Sequence, residues 1–126
     1  MDALRKLHEA LMPVGRVVDT QPLSARPEVF AAGKRIGSLD MRDWARTIEL
    51  VDAEIERALA DGLFELEAER RIVVTDSFDS GAECLEEVRE WGGTKVPKAL
   101  QAKLRAAPPP VTLEQEIKIR LLVKPP

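Results

Sequence analysis

The chain has 126 residues, 44% of them hydrophobic and 33% charged, with 19 basic and 22 acidic side chains and a net charge of -3. That length suits one domain over residues 1–126 with one hydrophobic core, and the composition excludes intrinsic disorder. The interspersed charges leave no cationic stripe for nucleic acid, no apolar run reaches the roughly 20 residues that cross a bilayer, and the charges within residues 2–12 exclude a signal peptide, so the expected address is the cytoplasm.

Residues 2–12 place Leu4, Leu7 and Leu11 at helical spacing, with Asp2 as the expected N-cap and Pro13 and Gly15 as the stop. Adjacent β-branched residues in 16–21 predict a short strand. The stretch 28–37 predicts a β-hairpin turning at Gly33, where a tight turn demands positive φ. From 40 to 61 the recurrence of Met41, Trp44, Ile48, Val51, Ile55 and Leu59 predicts the longest helix, capped by Asp40 and ended by Gly62. The period then becomes two over 63–75, with Phe64, Leu66, Ala68, Ile72 and Val74 on one face and Glu65, Glu67, Glu69 and Arg71 on the other. Arg70 interrupts the apolar side, which predicts a bulge there or a strand that outruns its cover. A helix over 79–91, capped by Asp79, and another over 97–107, with Pro97 in its first turn, precede Pro108-Pro109-Pro110. The final strand, 111–123, sets Val111, Leu113, Ile117, Ile119, Leu121 and Val123 against Thr112, Glu114, Glu116, Lys118 and Arg120. The expected fold is therefore α+β, a mainly antiparallel sheet with four helices packed on one side.

The opening Ala3-Leu4-Arg5-Lys6-Leu7-His8-Glu9-Ala10-Leu11-Met12-Pro13-Val14-Gly15, followed by Arg16-Val17-Val18, resembles a passage midway through class I S-adenosylmethionine-dependent methyltransferases. There a helix ending in Pro-Gly-Gly leads into the fifth strand; here Val14 stands at the first of those glycines. The remainder is similar to the C-terminal half of the same family, a hairpin and a helix followed by two long antiparallel strands. The resemblance implies that the glycine-rich cofactor half would lie upstream of this chain, and no G-x-G occurs in its residues. The expectation is a half domain that by itself neither binds S-adenosylmethionine nor transfers a methyl group, with no cofactor and no catalytic residue. The family's topology also implies that residues 16–21 expose an edge, carried by Val17, Val18 and Thr20, on which two copies, or a separate chain supplying the missing half, would pair.

Residues that could carry chemistry have structural readings that weigh more. His8 is the only imidazole, with no nucleophile near it in sequence, and Cys84 has no second thiol and no histidine set to make a zinc site. The glutamates of 63–75 and 111–123 alternate with Arg71, Lys118 and Arg120, which favours cross-strand ion pairs on a solvated face over a metal site. Asp76, Ser77, Asp79 and Ser80 are expected to form a short acidic, hydroxyl-rich loop that lacks the spaced oxygen ligands and turn glycine of a calcium site. The alternative to association is a small-molecule module with an apolar pocket between helix 40–61 and the sheet, lined by Trp44, Ile48, Phe64 and Trp91.

Overall fold

A computed structural model describes residues 2–126. Along the chain run α1 (Asp2–Ala10), β1 (Arg16–Pro22), β2 (Glu28–Ala31), β3 (Lys34–Ser38), α2 (Arg42–Ala60), β4 (Glu65–Phe78), α3 (Gly81–Arg89), α4 (Lys98–Arg105) and β5 (Val111–Val123). The fold is α+β, with the strands in one five-stranded antiparallel sheet.

The sheet is organised around β5. On one side β4 pairs with it from end to end, Glu65 opposite Val123 and Phe78 opposite Val111. A strand has two edges, so β1 and β2 share the other: β1 pairs with Ile117–Val123, β2 with Val111–Glu114, and β3 pairs with β2. The β2–β3 turn is made by Ala32 and Gly33, with φ of 49° and 79°. Two successive positive φ values match the right-handed twist of the flanking strands.

Local capping differs by a residue or two from the sequence reading. The side chain of Asp2 lies outside the described residues. Met41, not Asp40, occupies the N-cap position of α2, while the Asp40 carboxylate accepts the Arg42 backbone N–H at 3.1 Å and is clasped by its guanidinium. That pairing holds the carboxyl well below its usual pKa. Ser80, not Asp79, caps α3: its hydroxyl accepts from the Glu83 N–H at 3.1 Å, and the Glu83 carboxylate reaches back to the Asp79 N–H at 3.0 Å. Asp76 and Ser77 belong to β4, so the acidic, hydroxyl-rich stretch is not a loop. Pro97 sits at the N-cap position of α4, one residue before its first turn.

Helices cover the sheet on both faces, at opposite ends, rather than on one side. Val111 and Leu113 of β5, with Val29 and Ala31 opposite them on β2, pack under α3 and α4 through Leu85, Val88, Leu100 and Leu104. Leu122, an odd number of residues from Leu113, points to the other face and meets Leu4, Ile55, Ala58 and Phe64 beneath α1 and α2. A strand as long as β5 thus buries opposite faces at its two ends.

Candidate functional site

The consequence is a stretch of sheet with no helix over it. Past Leu113 the same face of β5 continues through Gln115, Ile117, Ile119 and Leu121, which are partly exposed. Register places Val74, Ile72, Arg70 and Ala68 of β4 beside these four, and Thr20 and Val18 of β1 beside Ile119 and Leu121. Val18 is 64% exposed and Ile72 42%. A shallow depression of about 270 Å³ runs along this face between Ala68, Arg70, Ile72, Ile119 and Leu121. Contiguous apolar surface of this kind marks a place where something else packs.

β4 is the edge of that face. Among the described strands its one neighbour is β5, so its outer row of backbone donors and acceptors is unpaired by any strand. Leu66, Ile72, Val73 and Val74 are all exposed on it. The expected break in its pattern occurs at Glu67 rather than Arg70: the register slips between Leu66 and Ala68. Leu66 therefore shares the side of Leu122, and Ala68, Ile72 and Val74 lie on the opposite, uncovered side, so the single apolar face predicted for Phe64 through Val74 is two faces. At Arg70 the strand outruns its cover, the other outcome the sequence allows.

β1 is also an edge, with β5 as its only strand partner among the described residues. Of the residues expected there, Val18 and Thr20 face the uncovered side, whereas Val17 turns inward against the cluster under α1 and α2.

The charged face of β4 and β5 forms cross-strand pairs, Lys118 with Glu69 at 3.7 Å and Arg71 with Glu116 at 4.0 Å, and Arg16 reaches across β5 to Glu67 at 2.7 Å. Arg120 breaks the expectation of a solvated face. It is 1% exposed. Its Nε donates to Asp19 Oδ2 at 3.1 Å from the register-opposite position on β1, its Nη2 donates to Asp52, and Nη1 lies 3.6 Å from Glu56. Asp52 and Glu56, one turn apart on α2, bring a helix down onto a position that reads as surface in the sequence. Gln21 Nε2 donates to the other oxygen of Asp19 at 2.9 Å. Three carboxylates converging on one buried guanidinium make this a structural clamp between α2, β1 and β5.

Of the four residues expected to line a pocket, two come together. Trp44, in the first turn of α2, and Trp91, after α3, flank an open groove of about 450 Å³ whose other walls are Met41, Asp76, Gly92 and Gln115. Ile48 is buried, and Phe64 belongs to the cluster on the other face, where His8 meets its ring edge-on at 5.6 Å. Cys84 is fully buried on the inner side of α3, and burial pushes its thiol up to about 11, a state without nucleophilic character at neutral pH. Among the described residues no helix is long and apolar enough to cross a membrane, and no group of three or more His, Cys, Asp or Glu side chains could hold a metal ion. The exposed sheet escaped the sequence reading because alternation reports which residues share a face, not whether a helix covers it. A signal was present in Val73 and Val74, adjacent apolar residues on opposite faces, which cannot both be buried in a strand with one covered side. No family model, curated protein or solved structure matches the chain.

Proposed function

We propose that this chain is a non-catalytic, methyltransferase-like half domain that works by association, with a second copy or with a separate chain. The observation that carries the reading is the unpaired β4, exposed along almost its whole length and bordered by the apolar face of β5. Such an edge is a template for further pairing unless something blunts it. Its partial protection, Arg70, Arg71 and the Glu67 bulge, is interrupted by the apolar run Ile72-Val73-Val74. The methyltransferase resemblance draws support from the hairpin, helix and antiparallel pair in the order that family uses. It also draws on Val14, which adopts φ of 60° where the family has glycine, a backbone that β-branched residues take rarely. Light scattering coupled to size-exclusion chromatography is expected to give a dimer at tens of micromolar; a monomer at that concentration removes the homodimeric form of the reading.

The groove between Trp44 and Trp91 favours a second reading, a binding site for a flat apolar molecule. Two indoles about an open, mostly apolar cleft with Asp76 and Gln115 at its floor provide stacking area and a polar handle. Indole at millimolar concentration is expected to raise the melting temperature of the wild-type chain and to leave Trp44→Ala unshifted. An equal shift in both proteins sinks this reading.

A further inference from the structure

Resting on the association reading, we infer that the partner at β4 is a second copy of the same strand, paired antiparallel about a two-fold axis through Val73. The regular part of β4 begins at Ala68, just past the bulge, and ends at Phe78. Val73 is its midpoint, so a two-fold there pairs the whole regular strand with itself and leaves the bulge outside the interface.

The side chains fit that register. Three of the charged residues of β4 have partners within the chain: Glu67 has Arg16, Glu69 has Lys118 and Arg71 has Glu116. Arg70 and Asp76 have no ion-pair partner among the described residues, and they stand three residues to either side of Val73. In an antiparallel pair centred on Val73, each Arg70 therefore lies opposite the Asp76 of the second copy. Ile72 lies opposite Val74, Val73 opposite itself, Arg71 opposite Thr75 and Glu69 opposite Ser77. Parity puts the Arg70, Ile72, Val74 and Asp76 side chains on one face, the first three over its uncovered stretch and Asp76 at its margin beside Leu113, and there the apolar surfaces of the two copies become continuous. No position opposes like charges.

Neighbouring registers lose this match. Centring on Ile72 sets Arg70 against Val74 and Asp76 against Ala68, and centring on Val74 sets Asp76 against Ile72 and Arg70 against Phe78. Centring on Arg70 pairs Glu69 with Arg71 but opposes the two Arg70 side chains. β1 is the poorer edge for a second copy: it is half as long, it ends in Pro22, which lacks an N–H, and its Asp19 is committed to Arg120.

The test is a charge exchange across the two-fold. Arg70→Asp and Asp76→Arg each place like charges opposite one another twice per dimer, and each is expected to weaken self-association at least about tenfold. Mixed in equal amounts, the two variants are expected to recover a dimer, because the heterodimer restores opposite charges at both sites. Val73→Cys is expected to cross-link under mild oxidant, with Cys84 too buried to compete. Arg70 is exposed and Asp76 half-buried at the rim of the groove, so circular dichroism and urea unfolding of each variant check that the fold is kept. A wild-type dimer that tolerates both reversals, or single variants that stay monomeric on mixing, overturns this register and leaves the association reading in place. A wild-type monomer removes this register together with the homodimeric form of the association reading.

Discussion

Arg120→Ala is expected to lower stability by about 3–5 kcal/mol, the usual cost of removing one member of a buried ion-pair group. The guanidinium is sealed beneath α2, and three carboxylates from two elements converge on it: Asp19 from β1, and Asp52 and Glu56 from α2. Without it these carboxylates are left close together at a partly buried site, and α2 loses what draws its polar side onto the sheet. Arg120→Lys is expected to recover only part of the loss, since a single ammonium cannot present a planar fork in three directions. Removing the buried members together, with Arg120→Met, Asp19→Val and Asp52→Leu, is expected to be much milder than Arg120→Ala, because the one carboxylate left, Glu56, is exposed and no buried charge is stranded. Urea unfolding at constant m value reads these differences directly. A loss below about 1 kcal/mol for Arg120→Ala would mean that water reaches the arginine and that α2 is held by its apolar side, Val51, Ile55, Ala58 and Leu59.

The same residue shows how far periodicity carries a reading of this chain. β5 was legible to the residue, because alternation from Val111 to Val123 is broken only at Gln115 and at Leu122, whose apolar side chain serves the opposite face. The hairpin at Gly33 was legible because a turn of that shape needs positive φ, and the long helix because its apolar stripe recurs over many turns. What alternation cannot report is which layer lies above a face. Ile117, Ile119 and Leu121 look like core and are uncovered; Arg120 looks like surface and is buried. Both follow from helices sitting at opposite ends of opposite faces, a tertiary fact with no local periodic signature. The Glu67 bulge compounds the difficulty, since one extra residue exchanges the faces of everything before it. For the candidate site, Val18 and Thr20 were placed on an edge by resemblance, and Trp44 was brought to Trp91, but Phe64 went to the other side of the sheet. The β4 edge was hidden because its charged residues read as a solvated face rather than as a strand with no neighbour.

Gly81→Ala is expected to cost about 3 kcal/mol, against the sign that helix propensity predicts. Gly81 is the first residue of α3, where alanine would ordinarily gain up to about 1 kcal/mol over glycine. Its φ is not positive, so no backbone strain argues for glycine here. The obstacle is contact: a Cβ at this position would lie 1.7 Å from the Leu104 carbonyl oxygen and 2.6 Å from its carbon. A peptide group cannot rotate away as a side chain can, so α3 and the end of α4 must separate. Leu104 itself is fully buried, and it packs with Cys84, Leu85, Val88 and Val111, so the separation opens the larger of the two clusters. Overpacking of this kind costs about 1–3 kcal/mol where side chains can yield, and more where they cannot. Gly92→Ala is the matched control, because nothing stands within 4 Å of its Cβ, and it is expected to change stability by less than about 0.5 kcal/mol. Thermal and urea unfolding of the two variants side by side separate close approach from propensity. If Gly81→Ala is neutral or stabilising, the backbones of α3 and α4 are not in contact, and the cover over Val111 and Leu113 is held by side chains alone.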